Sequence, residues 1–186
     1  TGKLADGFMV LGDWTNDGVF NHNGGNVIFD GVSLIGGSSR TSFGNLTIND
    51  SRMVTGPAND TMKVALDFVN NGTFINNGGT LEFNGAMQVL DGAAATLFEN
   101  IKVDAGSNTT FNTFGQSLGG VLISDGVLNA NENLTLLSDA TRTALIDGAG
   151  EGEVVGNLTI QRYLPSGFGY KYFSSPFQAA AVSEFG

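Results

Sequence analysis

The stretch WTNDGVFNHNGGNVIFDG, residues 14–31, recurs in the chain as FVNNGTFINNGGTLEFNG, residues 68–85. A less regular third copy, LISDGVLNANENLTLLSD, starts at residue 122. The glycines at positions 18, 72 and 126 are evenly spaced (72 − 18 = 54 and 126 − 72 = 54). The same step relates three further sets of positions: Asn23, Asn77 and Asn131; Phe20, Phe74 and Leu128; and Phe29, Phe83 and Leu137. A fixed period of this length is typical of architectures in which repeated units stack on one another.

Two glycine-containing turns divide each copy into short runs. The first turn is NDG at 16–18 and NNG at 70–72, and the second is NGG at 23–25 and again at 77–79. We expect glycine to supply the left-handed residue in these turns and asparagine to hydrogen-bond its own backbone. The runs between the turns are about five residues long, which indicates strands. FMVLGDWT, residues 8–15, is predicted to be one such strand-like run, with KVALDFV, residues 63–69, as its counterpart.

Alternation along two runs predicts which side chains face the core. Val27 and Phe29 point inward and Ile28 outward, and the sequence at 81–83 repeats the pattern with Glu82 in place of Ile28. An outer position that takes Ile or Glu is expected to be at most half buried. A closing phrase recurs as FGNLTI at 43–48, FENIKV at 98–103 and GNLTI at 156–160. Its predicted inward residues are Leu46, Ile48, Ile101, Val103, Leu158 and Ile160, and its predicted outward residues are Thr47, Lys102 and Thr159.

The pattern predicts an all-β fold, a parallel β-helix or β-solenoid built from about three 54-residue repeats. The units lie near 10–63, 64–117 and 118–160 within a repeat domain of residues 1–160. Each unit is expected to form two or three coils, with equivalent residues stacked directly above one another as ladders of like side chains. A repeated antiparallel sandwich is the alternative, but it would not place like over like.

The character of the sequence changes near Gln161. The last stretch, QRYLPSGFGYKYFSSPFQAAAVSEFG, residues 161–186, has two of the three prolines, many aromatic residues and no repeat pattern. We interpret it as a cap on the solenoid or as the incomplete start of a second β-rich module. Because Thr1 is not methionine, the chain is expected to be a mature or partial segment of a longer protein.

Composition excludes several classes of partner. The net charge of −10 and the isoelectric point near 4.2 argue against binding to nucleic acid or to an anionic membrane. The absence of cysteine excludes disulfides and thiolate metal sites. No stretch has the length and apolarity of a transmembrane helix, so membrane insertion is not expected.

The repeats, such as DWTNDGVFNHNGGNVIFDG, and the closing phrase FGNLTI resemble those of large surface proteins exported by the type IX secretion system of gliding and related bacteria. The passage LTLLSDATRTALIDGAGEGEVVGNLTIQRYLP followed by YKYFSSPF resembles the junction between a β-solenoid and a following β-rich module in those proteins. The likeness covers nearly the whole chain. The C-terminal sorting domain of such proteins is missing here. The resemblance implies an extracellular, surface-associated protein, often an adhesin or a filament-like component.

Catalytic residues are not predicted. Basic residues are scattered, and Asp13 recurs as Asp67 at the same place in the unit, which favours a role in the scaffold. His22, the single histidine, is replaced by Asn76 and Ala130 in the other copies, so it is interpreted as occupying a tolerant turn position. Trp14 is replaced by Phe68 and Leu122, which favours a core position over a sugar-stacking platform.

Two further sites are suggested by short motifs. The acidic, glycine-rich loop at residues 147–153 offers Asp147, Glu151 and Glu153 as ligands for Ca²⁺, although it lacks the alternating spacing of a calcium loop and also fits a solvated turn. Asp60-Thr61-Met62 resembles the Asp-Thr-apolar site at which secreted proteins of those bacteria are O-glycosylated. Thr61 is therefore the glycosylation candidate, in a predicted loop between units. No other cofactor is expected.

Three functions remain open at this point. The first is a non-catalytic structural or adhesive segment, a stalk or spacer of a large cell-surface protein whose partners are other domains of the same chain, the secretion machinery or cell-surface components. The second is a glycan-binding module, which an exposed row of aromatic side chains would favour. The third is a polysaccharide-degrading β-helix enzyme, which a close pair of carboxylates in a groove would favour. The sequence favours the first.

Overall fold

A computed structural model describes residues 7–165 and 167 of the chain. Within that part the protein forms 22 short strands and no helix. The strands wind as a coil through three faces, and every paired strand runs parallel to its neighbours. The first face contains eight strands, which sets the number of coils at about eight. The predicted all-β solenoid is confirmed, and the antiparallel sandwich is excluded for these residues.

Each face is a ladder of strands from successive coils. The first face contains β1 (Phe8–Val10), β3 (Asn26–Phe29), β6 (Asn45–Ile48), β9 (Phe68–Asn70), β12 (Gln88–Asp91), β15 (Asn108–Phe111), β18 (Val127–Asn129) and β21 (Glu153–Val155). The second face contains β2 (Trp14–Thr15), β4 (Val32–Gly36), β7 (Met53–Thr55) and β10 (Thr73–Ile75), followed by β13 (Leu97–Phe98), β16 (Gln116–Leu118), β19 (Leu134–Leu136) and β22 (Thr159–Ile160). The third face contains β5 (Ser42–Phe43), β8 (Thr61–Val64), β11 (Thr80–Phe83), β14 (Asn100–Val103), β17 (Val121–Ser124) and β20 (Leu145–Ile146).

The 54-residue repeat and the coil do not have the same period. The numbers of paired residues on neighbouring strands of the first face differ by 19 for Phe8↔Val27 (27 − 8) and by 26 for Leu128↔Val154 (154 − 128). One repeat spans eight strand positions, for example from β6 to β14 and from β14 to β22. Because a coil has three faces, eight strands make two and two-thirds coils.

Equivalent residues therefore lie on different faces, and the prediction that they stack directly above one another is wrong. The closing phrase lies on the first face in β6, on the third in β14 and on the second in β22. The ladders are also mixed, since Phe68 pairs with Leu46 on one side and Leu90 on the other. The physical reason is that all three faces offer the same environment. Any strand with one apolar side fits any of them.

Two further details of the repeat are corrected. Residues 8–15 are not one strand but two, β1 and β2, on adjacent faces with a corner between them. In the third copy the buried residue is Leu136, whereas Leu137, which keeps the repeat spacing from Phe83, is partly exposed. The third copy has one residue fewer in its second turn, which shifts the alternation by one position.

The core is a continuous column of aromatic and aliphatic side chains enclosed by the three faces. The predicted inward residues Leu46, Ile48, Ile101 and Val103 are fully buried, and Leu158 and Ile160 pack against the same cluster. Trp14 packs at the first coils, with ring centroids 4.8 Å from Phe20 and 5.2 Å from Phe43. Its Nε1 donates to Thr41 Oγ1 at 3.1 Å. The core interpretation of Trp14 is confirmed.

The two turns of the repeat need glycine for different reasons. The second turn is left-handed as predicted, with φ of 48° and 72° at Asn23 and Gly24 and of 54° and 76° at Asn77 and Gly78. In the first turn the glycines do not have positive φ. A Cβ on Gly72 would lie 2.4 Å from Arg52 O and 2.5 Å from Asn49 O of the preceding coil. In the second copy that turn needs glycine because the preceding coil approaches closely, so the prediction of a left-handed residue there is wrong.

Backbone hydrogen bonding between coils extends as far as Gln161 in the described residues. The backbone N–H of Gln161 still donates to Leu136 O at 2.9 Å. Most of the predicted cap or second module, residues 166 and 168–186, lies outside the described residues.

Candidate functional site

The polar residues that recur in the repeat join one coil to the next. Asp13 Oδ1 accepts the backbone N–H of Leu34 and Asp67 Oδ1 accepts that of Val89, both at 2.9 Å. In each pair the acceptor precedes its donor by one coil (34 − 13 = 21 and 89 − 67 = 22). Leu34 lies in β4 and Val89 in β12, so each aspartate supplies a hydrogen-bond acceptor to a strand of the following coil. The repeated aspartates are therefore part of the scaffold.

Two other recurring positions do the same. Asp17 Oδ1 accepts the backbone N–H of Ser38 at 2.8 Å, and its equivalent Asn71 accepts that of Ala93 at 3.0 Å. The hydrogen bonds from Ser38 lower the pKa of the Asp17 carboxyl. In the closing phrase, the equivalent residues Asn45 and Asn100 accept the N–H groups of Asp67 and Val121. Thus the repeat preserves a set of side chains that clamp adjacent coils.

The outer surface of the third face has a ladder of charges, Lys63, Glu82 and Lys102, on adjacent strands. Glu82 is in register with both lysines, and Lys63 Nζ lies 2.5 Å from Glu82 Oε1. Only 5% of Glu82 is exposed, so the prediction of an at most half-buried outer position is wrong here. Two flanking lysines compensate the buried carboxylate. The spacing of the three charged residues in the sequence (82 − 63 = 19 and 102 − 82 = 20) is about the length of one coil, so it could have indicated this ladder.

Lys102 extends this ladder to two aspartates. Its Nζ lies 2.9 Å from Asp104 Oδ1 and 3.7 Å from Asp125 Oδ2. The hydrogen bond from Lys102 holds the pKa of Asp104 below its ordinary value, and the same bond raises the pKa of Lys102. These groups neutralise one another locally, so the ladder presents alternating charge and no uncompensated basic patch.

The outer surface of the second face is uncharged on three adjacent strands. Val32 and Leu34 of β4, Met53 of β7 and Ile75 of β10 are exposed, and Val32 reaches 73%. Register places Val32 beside Met53 and Leu34 beside Thr55, with Thr73 and Ile75 on the next strand. We call the outward side chains of β4, β7 and β10 the apolar face. Alternation predicted which residues point outward, but local sequence does not reveal that these exposed aliphatic residues lie side by side.

Exposed aromatic residues do not form a row in the described part of the chain. Phe8 is on the first strand of the first face, Phe114 is at a corner between β15 and β16, and Tyr163 follows β22. These three positions belong to different coils and different sides of the solenoid. The feature that would favour a glycan-binding module is therefore not found among residues 7–165 and 167.

The predicted calcium ligands lie on an exposed loop and on the strand that follows it. Asp147 Oδ1 accepts the backbone N–H of Ala149 at 2.9 Å, and Glu153 is the first residue of β21. Across residues 7–165 and 167, no three side chains of Asp, Glu or His are grouped so that they could hold a metal ion. The structure does not bring Asp147, Glu151 and Glu153 together.

Thr61 is the first residue of β8 and not part of a loop, so its predicted loop position is wrong. Its backbone N–H donates to Asp60 Oδ1 at 2.7 Å, and Arg40 Nε donates to the same oxygen at 2.7 Å. Both hydrogen bonds, that from Thr61 first, lower the pKa of Asp60. Thr61 borders a shallow crevice with Arg40, Thr41 and Pro57, which has room for about one water molecule.

His22 occupies a less tolerant position than the sequence suggested. Its equivalents Asn76 and Ala130 are buried, whereas His22 itself is partly exposed. Its Nδ1 accepts the backbone N–H of Gly24 at 3.0 Å. In the second copy, Asn76 Oδ1 instead accepts the N–H of Glu99 from the following coil. Each side chain at this position satisfies a backbone donor or fills the core.

Searches of protein-family models, curated proteins and solved structures give no match to this protein. The resemblance to surface proteins of the type IX secretion system thus rests on the sequence motifs alone. Among the described residues, none forms a helix with the length and hydropathy needed to span a membrane.

Proposed function

We propose that this protein is a non-catalytic structural segment, a stalk or spacer, of a large extracellular cell-surface protein. Export by the type IX secretion system and an adhesive role for the parent protein belong to the same proposal and rest on the sequence resemblance. The expected partners are other domains of that protein, the secretion machinery and cell-surface components. Glycosylation at Thr61 is part of the proposal as well, because its side chain points outward from β8 and is partly exposed.

The observation that carries the proposal is what the repeat preserves. Equivalent positions keep buried apolar residues and the side chains that clamp adjacent coils. Equivalent outward residues lie on three different faces, as Thr47, Lys102 and Thr159 do, and only one of these three is charged. A binding surface built by repetition would need like residues aligned on one face. The repetition here serves the scaffold.

The geometry suits a spacer. Strands of adjacent coils are about 4.8 Å apart, so eight coils give a rod roughly 38 Å long. Backbone hydrogen bonds run along this axis between every pair of coils, and the continuous core joins the coils side to side. A rod of this kind holds whatever lies at its two ends at a fixed separation.

A glycan-binding module is the second candidate, and the apolar face favours it. This face is uncharged and carries the hydroxyl groups of Thr55 and Thr73 among its aliphatic side chains, which fits one side of an extended polysaccharide. Exposed apolar patches often mark interaction sites. The stalk proposal instead treats the face as a surface for neighbouring domains of the parent protein.

A glycan array with the purified protein, with and without calcium, distinguishes the two. We expect no specific binding in either condition, because the described residues present no aromatic row and no grouped carboxylates. Specific binding that Val32→Asp or Ile75→Asp abolishes would overturn the stalk proposal in favour of a glycan-binding apolar face. Thr159→Asp, on the outer surface of β22, is the matched control. Binding that requires calcium and is lost in Asp147→Asn would instead locate the site at residues 147–153.

A further inference from the structure

The sequence has four Asn-Gly pairs, at 23–24, 71–72, 77–78 and 84–85. In such a pair the backbone nitrogen of the glycine can attack the Cγ of the asparagine side chain and close a five-membered ring. Glycine permits this because it has no side chain to obstruct the attack. The reaction requires that the glycine N–H lose its proton, so a base on that N–H decides which pair reacts.

Only the first pair has an imidazole on the attacking nitrogen. The N–H of Gly24 donates to His22 Nδ1 at 3.0 Å, within the reach of a general base. An N–H donor requires that Nδ1 be the unprotonated nitrogen of a neutral imidazole. Asn23 and Gly24 are both exposed, so water reaches the pair.

We propose that Asn23 is a self-modifying site that deamidates with His22 as general base. His22 Nδ1 takes the proton of the Gly24 N–H, and the nitrogen forms a bond to Asn23 Cγ. The bond between Cγ and Nδ2 of Asn23 breaks and ammonia leaves with a proton, which gives a succinimide. Water then opens the ring at either carbonyl, so the residue becomes aspartate or isoaspartate. No oxidant, reductant or metal is needed.

The second copy of the turn is an internal control. Asn77 and Gly78 have nearly the same φ angles as Asn23 and Gly24. The position of His22 is taken by Asn76, whose Oδ1 already accepts the N–H of Glu99. In addition, Asn77 Nδ2 donates to Gly56 O at 3.1 Å, and Asn77 O accepts the N–H of Asn59. This turn therefore has no base on the attacking nitrogen and is held by the preceding coil.

The other two pairs are held by amide oxygens, which are much weaker bases than imidazole. The N–H of Gly72 donates to Asn70 Oδ1 at 3.1 Å, and that of Gly85 donates to Gln88 Oε1 at 2.7 Å. Both glycines also lie against the backbone of the preceding coil, where there is no space to rearrange. Asn23 is thus distinguished from the three other Asn-Gly pairs by the group that accepts its glycine N–H and by the space around it.

The product changes the corner that leads into β3. Either product adds one negative charge to a protein that already has a net charge of −10. Isoaspartate also adds a methylene group to the backbone shortly before Asn26, which begins β3. This inference does not depend on the proposed function.

The test is to incubate the full chain at neutral pH and physiological temperature and to follow the four pairs by peptide mass spectrometry with separation of isoaspartate. We expect Asn23 to convert faster than Asn77 by a factor on the order of 10 to 100, around the lower end of general-base catalysis. His22→Asn, which copies the second repeat, should slow Asn23 toward the rate of Asn77.

Circular dichroism of His22→Asn checks that the variant is folded. Should this variant fail to fold, the wild-type comparison of Asn23 with Asn77 decides the question. Equal rates at Asn23 and Asn77, or an Asn23 rate that His22→Asn leaves unchanged, would overturn the proposal.

Discussion

At the scale of single residues, glycine has two separate roles in this repeat. Gly24 has φ of 72° and nothing within 4 Å of an added Cβ, so only its backbone conformation needs glycine. Gly72 has an ordinary φ but lies against two carbonyl oxygens of the preceding coil. Sequence alone shows an Asn-rich turn in both cases and cannot separate the two reasons, because the second depends on a coil that lies earlier in the sequence.

Gly72→Ala is predicted to destabilise the protein by about 3 kcal/mol or more, at the upper end of overpacking effects, since backbone must move. Gly18→Ala is the matched control. It occupies the same position of the first copy, where an added Cβ meets nothing within 4 Å. Its effect is expected to be within about 0.5 kcal/mol. Urea denaturation of both variants measures the free energies, and equal losses would contradict the role assigned to the preceding coil.

Glu132 is a strained residue, with φ of 62° in the third copy where Gly24 and Gly78 stand in the first two. Glu132→Gly is predicted to stabilise the protein by about 0.5–1 kcal/mol, because a side chain in the left-handed region costs roughly 1–2 kcal/mol. For a protein of this size that raises Tm by about 1–4 °C. Glu132→Ala loses the same hydrogen bond from Asn157 without relieving the strain, so it should not stabilise. A higher Tm for the alanine variant would contradict the prediction.

At the scale of elements, alternation with a period of two was the reliable signal. It predicted the inward sides of β3, β6, β11 and β14, because burial on one side of a strand is a local property. It did not predict the neighbours of each strand. These depend on the corners, which vary from a single residue, Glu99 between β13 and β14, to the longer stretch 137–144 between β19 and β20. The Lys63–Glu82–Lys102 ladder and the apolar face both arise from that pairing.

Glu82→Gln is predicted to destabilise the solenoid by about 2 kcal/mol, because two lysines then lie on either side of a neutral, buried amide. Arg40→Gln is the control. Its ion pair with Asp60 is solvent-exposed on both sides and should contribute no more than about 1 kcal/mol. Thermal unfolding at low and at high salt measures the loss of stability in each of the two variants. A larger loss for Arg40→Gln would show that the third-face ladder does not stabilise the fold.

The Lys102–Asp104 pair predicts a pH dependence. Because the pKa of Asp104 is lowered in the folded state, its contribution is fully present above the unfolded carboxyl value and is lost as pH falls through the folded one. Melting temperature should therefore decrease from roughly pH 5 toward pH 2, and Asp104→Asn should flatten that decrease. In a Lys102→Met background, the same substitution should have a smaller effect. An unchanged acid slope in Asp104→Asn would contradict the assignment.

At the scale of the whole molecule, the repeat follows the strands and not the coils. One repeat advances the chain by eight strand positions, so each unit begins one face away from the last. The sequence indicated the solenoid because the 54-residue period is visible in the chain itself. It could not indicate the phase, that is, the face on which each repeat begins. Phe29 and Phe83 look identical in sequence although β3 and β11 lie on different faces. For the same reason the outer surface changes around the rod while the core stays constant.

The phase is tested most directly by cysteine crosslinking, since the protein has no cysteine of its own. Thr47 and Val69 are outward partners on β6 and β9, where neighbouring Cα atoms are about 4.8 Å apart. That separation is within the range of a disulfide. Three equal coils per unit would instead place Ala65 beside Thr47, one-third of a repeat further along the sequence.

We predict that mild oxidation of Thr47→Cys/Val69→Cys gives an intramolecular disulfide in nearly all molecules, and that Thr47→Cys/Ala65→Cys gives none. Mass spectrometry of tryptic peptides identifies the bond in each case. A disulfide in the 47/65 variant, or its absence in the 47/69 variant, would contradict a repeat of two and two-thirds coils.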